Sequence, residues 1–119
     1  MDVIKDFMSK PVLSVTIQAS AEETAKEMDQ KSVSCLLVKE NEEPVGLVTT
    51  SDLVKRVMAK GLDPKTTQIN LIMSKPLISL NHYLTRSDAS ELMQKNKIKH
   101  LVVTEKNSVI GILTPKDII

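Results

Sequence analysis

Apolar residues along the chain occur in short runs that are separated by polar turns. One run, Cys35–Val38, is followed by the polar stretch Asn41–Pro44 and then by a second run, Val45–Val48. Two short apolar runs around a polar turn are typical of a hairpin of buried strands. The same arrangement recurs in Leu101–Leu113, where the polar turn is Lys106–Ser108. The pattern therefore predicts two β-hairpins.

A helix is predicted before each hairpin. Ser20–Glu23 has the Ser-x-x-Glu spacing of a capping box, and Thr85–Asp88 is a looser version of it. The residues that follow place small or apolar side chains on one helical face, which is typical of a helix that packs on a sheet. These residues are Ala21, Thr24, Ala25 and Met28 in the first helix, and Ala89, Leu92 and Met93 in the second.

An extended piece precedes each of these helices, and a further helix follows each hairpin. The extended pieces, Val12–Val15 and Leu77–Leu80, each come after a proline, a residue that does not continue a helix. The first closing helix is predicted from Ser51 to Lys60, with Gly61 as its C-terminal stop. Its counterpart begins at Lys116. The order β-α-β-β-α is thus given twice.

The two halves correspond at a constant spacing. Met8–Pro11 is repeated as Met73–Pro76, so positions 8 and 73 differ by 65, as do positions 46 and 111. Self-similarity without gaps indicates two copies of one supersecondary unit. We assign residues 1–61 to repeat 1 and residues 62–119 to repeat 2, with the polar linker Gly61–Gln68 between their folded parts. Because neither copy can bury a good core alone, we expect them to pack sheet to sheet.

Both hairpins end in a glycine, two apolar residues and Thr-x-x-Asp. The glycines, Gly46 and Gly111, indicate a close approach to the backbone, with a ligand as one candidate. Thr49 and Thr114 stand where helix N-caps belong, and Pro115 suits the first helical position. One such corner alone is typical of a capping box, in which the Asp bonds to its own Thr. Two equivalent corners also indicate two equivalent binding sites.

Composition excludes several classes of protein. The 119 residues carry a formal net charge of +1, and aromatic residues make up 2%, so neither the electrostatic field nor the stacking surface for nucleic acid is predicted. The single Cys35 cannot form an internal disulfide, which fits a reducing compartment. No signal peptide and no apolar run of membrane-spanning length is recognised. We therefore expect a soluble cytoplasmic protein.

These motifs resemble those of a tandem pair of CBS domains, also called a Bateman module. The resemblance rests on two β-α-β-β-α units that open near Met-Ser-x-Pro and close on Gly, two apolar residues and Thr-x-x-Asp. It implies an α/β fold of two halves related by a pseudo-twofold axis, with two clefts between their sheets. In the family, these clefts bind adenine nucleotides (AMP, ADP or ATP) and, in some members, S-adenosylmethionine. The resemblance also implies a regulatory role, in which a change of shape or of dimer packing passes the bound state to a partner protein.

The resemblance further implies which residues hold the ligand. The Asp of each corner would hold the ribose hydroxyls, and the Thr would contact ribose or phosphate. One cleft would join Thr114, Lys116 and Asp117 to Ser14, Val15, Val33, Ser34 and Cys35. The other cleft would join Thr49 and Asp52 to Ser79, Leu80, Ile98, Lys99 and His100. Many family members carry a proline in the first hairpin strand, where this chain has Leu37 and Val102.

The chemistry of the corner residues agrees with such a ligand. A carboxylate accepts two hydrogen bonds and can clamp a vicinal diol, and N–H groups at a helix N-terminus favour phosphate. We expect the Asp117 cleft to bind more tightly, because its corner carries Lys116 and its repeat carries His100 as partners for a phosphate. The other corner has Ser51 and Cys35 instead.

An apolar stripe on the first closing helix predicts how the protein assembles. The stripe consists of Leu53, Val54, Val57 and Met58. It either packs on its own sheet or joins a second copy, and we expect a homodimer. The basic residues between them are assigned to the solvated face of the helix. They are Lys55, Arg56 and Lys60.

No catalytic or metal-binding constellation is recognised. The sequence shows no nucleophile paired with a base, no P-loop and no carboxylate pair with a shared target, so an enzyme is not expected. No Cys or carboxylate cluster stands at metal-ligand spacing beside His82 or His100. Cys35 is interpreted as a small core residue rather than a reactive thiol. The alternative to a ligand sensor is a dimerisation or interaction module whose clefts stay empty.

Overall fold

Both repeats fold in the order that their pattern predicts. The structure, a computed structural model, describes residues 2–119. Repeat 1 contains β1 (Ser14–Thr16), α1 (Ala21–Lys31), β2 (Cys35–Glu40), β3 (Glu43–Thr49) and α2 (Thr50–Asp52), which continues as a π-helix, Leu53–Met58. Repeat 2 contains β4 (Ser79–Asn81), α3 (Arg86–Asn96), β5 (Leu101–Glu105) and β6 (Ser108–Leu113), followed by a 3-10 turn, Pro115–Asp117. The mixed α/β class and the repeated order of elements are confirmed, with one difference: the helix predicted from Lys116 is a 3-10 turn that begins at Pro115.

Each repeat forms one three-stranded sheet. In the first sheet, β2 lies between β1, to which it is parallel, and β3, to which it is antiparallel. The second sheet repeats this arrangement with β4, β5 and β6. Both hairpins turn on two residues with positive φ, at positions 41–42 and 106–107, because such a turn matches the twist of the strands. The predicted turns are too long, since Glu43, Pro44 and Ser108 already belong to strands.

Capping boxes begin both long helices, as predicted. Ser20 N–H donates to Glu23 Oε1 over 2.9 Å, and Glu23 N–H donates to Ser20 Oγ over 3.0 Å. Thr85 and Asp88 form the same box at α3. The helix residues predicted to face the core are buried or half-buried, except for Ala25, which is exposed. Within residues 2–119, no helix combines the length and the apolar character that crossing a membrane requires.

The chain folds into two compact units that do not follow the repeat boundary. The central unit is Leu13–Leu77, and the terminal unit combines Ile78–Ile119 with the segment that ends at Val12. A short 3-10 turn supplies a fully buried isoleucine to the core of each unit, Ile69 in the central unit and Ile4 in the terminal unit. The sequence pattern does not predict these turns, although the two isoleucines stand at matching repeat positions.

The predicted linker, Gly61–Gln68, is folded against α1. Its first residue has a φ of 69°, in agreement with the predicted stop of the preceding helix. The carbonyl of Thr67 accepts a hydrogen bond from Ala21 N–H at 2.8 Å, and the carbonyl of Pro64 accepts one from Glu22 N–H at 2.9 Å. The segment is therefore an ordered part of the central unit.

The two strand glycines are packed against the Met-Ser motif that lies in the same unit. A Cβ atom on Gly46 would lie 2.8 Å from Met73 Sδ and 2.9 Å from the carbonyl oxygen of Ser74. A Cβ atom on Gly111 would collide with Met8 Sδ and Cγ. The close approach predicted at these glycines is confirmed, and the approaching atoms belong to the protein itself.

Candidate functional site

The first corner lies where β3 ends at Thr49 and the chain turns into α2. Asp52 Oδ2 accepts hydrogen bonds from Thr49 N–H at 3.0 Å and from Thr49 Oγ1 at 3.2 Å. Asp52 N–H in turn donates to Thr49 Oγ1 at 3.2 Å, and the Asp52 residue is only 7% exposed. The predicted strand-to-helix corner is confirmed, and the capping-box interpretation describes its internal bonds.

Asp52 has two further partners that the sequence pattern does not predict. The Ser74 hydroxyl lies 3.3 Å from Oδ1 and 3.4 Å from Oδ2, and Arg56 Nε lies 3.7 Å from Oδ1. Arg56 Nη1 also donates to the carbonyls of Ile72 and Met73, at 3.1 and 3.3 Å. Half of the Arg56 side chain is exposed, in agreement with its assignment to the solvated face, and its guanidinium also ties the helix to a neighbouring segment.

Three backbone N–H groups of the first corner are already bonded. Those of Thr49 and Asp52 serve the capping box, and Thr50 N–H donates to the carbonyl of Ser34 at 3.0 Å. A phosphate would have to compete for these donors, which are free only at a helix N-terminus without such bonds.

Beyond Asp52, the helix changes to π geometry over Leu53–Met58. Val57 is buried and Leu53 is half-buried, whereas Val54 is 60% exposed and Met58 is 71% exposed. The predicted apolar stripe is therefore divided. Leu53 and Val57 pack in the core of the central unit, and Val54 and Met58 face outwards.

The second corner keeps the Thr–Asp pair but has fewer bonds. Asp117 Oδ2 accepts hydrogen bonds from Thr114 N–H at 2.8 Å and from Thr114 Oγ1 at 3.1 Å. Pro115 begins the 3-10 turn here, as its predicted position requires. Asp117 is half-buried, and within residues 2–119 its Oδ1 accepts no hydrogen bond. Over the same range, Ser9, the repeat counterpart of Ser74, makes no side-chain hydrogen bond.

Cys35 lies beside the first corner. It is half-buried and pairs with Thr49 across β2 and β3. Burial raises the pKa of its thiol to about 12, and the negative charge of Asp52 adds to the rise. A thiol with such a pKa stays protonated at neutral pH, which supports the interpretation of Cys35 as a small, unreactive residue.

The residues predicted to hold a ligand are divided between the two units. The central unit contains Ser14, Val15, Val33, Ser34 and Cys35, together with Thr49 and Asp52. The terminal unit contains Ser79, Leu80, Ile98, Lys99 and His100, together with Thr114, Lys116 and Asp117. Inside the central unit, the structure brings Ser34 and Cys35 to the first corner, whereas Ser14 and Val15 lie on β1. Each predicted cleft takes residues from both units and stays a prediction.

Sequence reasoning missed Ser74 and Arg56 as partners of the first corner. A signal was present for both. Ser74 belongs to the repeated Met-Ser-x-Pro motif, and Arg56 follows Asp52 by four positions, the spacing at which helical side chains meet. Over residues 2–119, no group of three or more His, Cys, Asp or Glu side chains is placed to hold a metal ion.

Comparison with known proteins finds the same repeat elsewhere. A family model described as CBS domain matches residues 4–59 and again residues 68–119. The CBS domain-containing protein YhcV of Bacillus subtilis is 31% identical over 118 residues, which cover 99% of this chain and 84% of that protein. An uncharacterized protein of Methanocaldococcus jannaschii is 30% identical over 116 residues, which cover 95% of this chain and 62% of that protein. A solved structure, the hexameric CBS-CP12 protein from bloom-forming cyanobacteria, has a TM-score of 0.90 and 29% identity, over 98% of this chain and 68% of that chain.

Proposed function

The chain belongs to the CBS domain family, as a tandem pair of CBS domains, and we propose that it is a regulatory module that binds an adenosyl ligand. The ligand is AMP, ADP or ATP, with S-adenosylmethionine as the alternative, and a change of conformation passes the bound state to a partner protein. Family membership supports the regulatory role. The observation that carries the ligand proposal is the Asp117 carboxylate, which is half-buried and has one oxygen that accepts no hydrogen bond within residues 2–119.

The geometry at Asp117 suits a ribose. Thr114 holds Oδ2 through two hydrogen bonds, which fixes the carboxylate and leaves Oδ1 to accept a hydroxyl of the ligand. A hydrogen bond to an ionised carboxylate is stronger than one between neutral groups, and partial burial strengthens it further. Lys116 is exposed next to Asp117, and we assign it to the phosphate end of the ligand.

Thermal unfolding in the presence of AMP, ADP, ATP or S-adenosylmethionine tests this proposal. A ligand that binds only the folded state raises the melting temperature as its concentration increases. We expect such a rise for the natural chain and its loss in Asp117→Ala. Asp88→Ala is the matched control, because Asp88 forms the same kind of capping box with Thr85 but is not assigned to a ligand site. It should lower the starting stability and keep the ligand-induced rise.

Two outcomes contradict the proposal. No rise with any of the four ligands would favour the interaction module with empty clefts. An equal rise in Asp117→Ala would remove Asp117 from the site. Chromatography of the nucleotide after incubation tests the enzyme alternative, since a sensor returns its ligand unchanged.

We also propose that the protein assembles as a homodimer through the outer face of the π-helix. Val54 and Met58 stand four positions apart on this face, and Leu62 beyond it is 44% exposed. An open groove of about 360 Å³ is lined by Met28, Val33 and Leu53 among others, and Leu53 precedes Val54 in the chain. Contiguous exposed apolar side chains of this kind mark interaction sites. The hexameric CBS-CP12 relative is an example of an assembly in the family.

Light scattering tests the assembly. We expect a dimer at micromolar concentration, and a shift to monomer in Met58→Glu, because a buried, unpaired carboxylate is unfavourable in an apolar interface. Lys55→Glu is the control on the same helix, since Lys55 is exposed and is not part of the apolar face. A monomeric natural chain, or equal behaviour of the two variants, would contradict this interface.

A further inference from the structure

The two corners share the Thr–Asp pair and differ in what else holds the carboxylate. The Asp52 carboxylate accepts hydrogen bonds from Thr49 N–H, Thr49 Oγ1 and the Ser74 hydroxyl, and it lies 3.7 Å from Arg56 Nε. An ionised carboxylate has about four acceptor positions. Three of these groups fill three of the positions through hydrogen bonds, and the Arg56 guanidinium stands at ion-pair distance from Oδ1. Within the part of the chain that the structure describes, Asp117 accepts hydrogen bonds only from the N–H and Oγ1 of Thr114.

We propose that Ser74 and Arg56 form a latch that keeps Asp52 from binding a ligand, so that the Asp117 corner is occupied first. This inference rests on the proposed function, because it states which of the two corners an adenosyl ligand uses. A ribose at Asp52 must first displace Ser74, Arg56 or both. A hydrogen bond to a charged group contributes roughly a tenfold to hundredfold factor in affinity. The latch should therefore weaken ligand binding at Asp52 by about this factor.

The latch also connects the corner to the segment before β4. Arg56 Nη1 holds the carbonyls of Ile72 and Met73. The backbone of Ser74 is paired with Leu47 of β3 through two hydrogen bonds, at 2.7 and 3.0 Å. Opening the latch therefore loosens the segment from the helix as well as releasing the carboxylate. Occupation of Asp52 at high ligand concentration would then be a second, structurally distinct state of the module.

Two variants open the latch, and each has a matched control. Ser74→Ala removes the hydroxyl, and Ser9→Ala makes the same change at the repeat counterpart, where no side-chain hydrogen bond is made within residues 2–119. Arg56→Gln removes the guanidinium, and Lys55→Gln makes the same change of charge on the neighbouring exposed residue. The natural chain, these four variants and the double variant Asp52→Ala with Ser74→Ala are titrated calorimetrically with AMP, ADP, ATP and S-adenosylmethionine. Amide hydrogen exchange of the natural chain and the four single variants is measured without ligand.

In the natural chain we expect one tight event and a weaker or undetected second event. Ser74→Ala and Arg56→Gln should strengthen the second event about tenfold or more, and Asp52→Ala added to Ser74→Ala should remove it. Without ligand, both latch variants should exchange faster at the amides of residues 72–74, because the segment has lost its tie to the helix. Both controls should match the natural chain in these amides and in binding.

The outcomes separate the latch from the function on which it rests. If nucleotides bind but neither latch variant changes the second event, the latch is wrong and the proposed function stands. Unchanged exchange at residues 72–74 in both latch variants would also overturn it, even if the variants bind differently. If no variant binds any of the four ligands, the proposed function fails, and the proposal that the latch controls binding fails with it.

Discussion

The Ser74 hydroxyl lies 3.3 Å from Oδ1 of Asp52, although 22 positions separate the two residues. Ser74 belongs to the motif that opens the second repeat, and Asp52 belongs to the motif that closes the first. The structure thus places the opening motif of one repeat on the closing motif of the other, within the central unit. The equivalent residues of the terminal unit, Ser9 and Asp117, are not joined in this way. Two nearly equal sequence motifs therefore become two unequal sites.

Truncating the isoleucine in either 3-10 turn should destabilise the protein strongly. Ile4 and Ile69 are both 0% exposed, and removing a buried isoleucine side chain costs about 2–5 kcal/mol. We expect Ile4→Ala and Ile69→Ala to lower the free energy of unfolding by this amount in urea titrations. Leu71→Ala is the control in the same kind of turn, because Leu71 is 76% exposed and its truncation should change stability by less than about 0.5 kcal/mol. Equal losses in the three variants would show that the two turns do not belong to the cores.

A methyl group at either strand glycine should also destabilise the fold. At Gly46 it would lie 2.9 Å from the backbone oxygen of Ser74, which cannot easily move, so we expect Gly46→Ala to cost about 1–3 kcal/mol. At Gly111 the obstacle is the Met8 side chain. Met8→Ala should therefore relieve part of the cost of Gly111→Ala in a double-mutant cycle measured by denaturant unfolding. Additive effects of these two substitutions would contradict the contact.

Cys35 should resist thiol reagents in the folded protein. Burial, and then the charge of Asp52, raise the pKa of its thiol to about 12, so almost none of it is ionised at pH 8. A chromogenic disulfide reagent should react slowly with the native protein and rapidly after unfolding in guanidinium chloride. Stability depends on pH in a defined direction, because the unfolded thiol has a pKa of 9.0 and therefore ionises at a lower pH than the folded one. Stability should therefore fall as the pH rises above 9. Rapid reaction of the native protein at pH 8 would contradict this environment.

The capping box of α1 should make folding sensitive to acid. Hydrogen bonds from the backbone and then the side chain of Ser20 hold the pKa of Glu23 below its usual 4.5. A carboxyl group with a lowered folded pKa stabilises the native state above pH 4.5, and this stabilisation is lost as the pH falls through the folded pKa. Between pH 7 and pH 3, Glu23→Gln should therefore lose less stability in urea titrations than the natural chain. Ser20→Ala should show part of the same reduction. An unchanged pH dependence in Glu23→Gln would show that this box is not its source.

The parts of the fold that were predictable from sequence depend on neighbouring residues. The boxes at Ser20–Glu23 and Thr85–Asp88 close over three positions, and the hairpin strands follow from apolar runs on either side of a polar turn. The Thr–Asp corners were predictable for the same reason. The left-handed residues at positions 41–42 and 106–107 include no glycine, so the turns looked longer than they are.

The parts that were not predictable depend on contacts between distant residues. Ile4 and Ile69 are buried by sheets far from them in sequence, and neither has a local pattern that indicates a turn. The same holds for the tie between Arg56 and the carbonyls of Ile72 and Met73, which spans 16 and 17 positions. Unequal ligand affinity of the two corners was expected from Lys116 and His100. The structure adds a different reason, because neighbouring residues already bind the Asp52 carboxylate.

The central claim is tested most directly by isothermal titration. The natural chain, Asp52→Ala and Asp117→Ala are each titrated with the adenine nucleotide that gives the largest thermal shift. Asp117→Ala should weaken the tight binding event by roughly tenfold to a hundredfold, because a hydrogen bond to a charged group is lost. Asp52→Ala should leave that event nearly intact, since the Asp52 carboxylate is already hydrogen-bonded to Thr49 and Ser74 and is ion-paired with Arg56. Loss of the tight event in Asp52→Ala, with its retention in Asp117→Ala, would contradict the account.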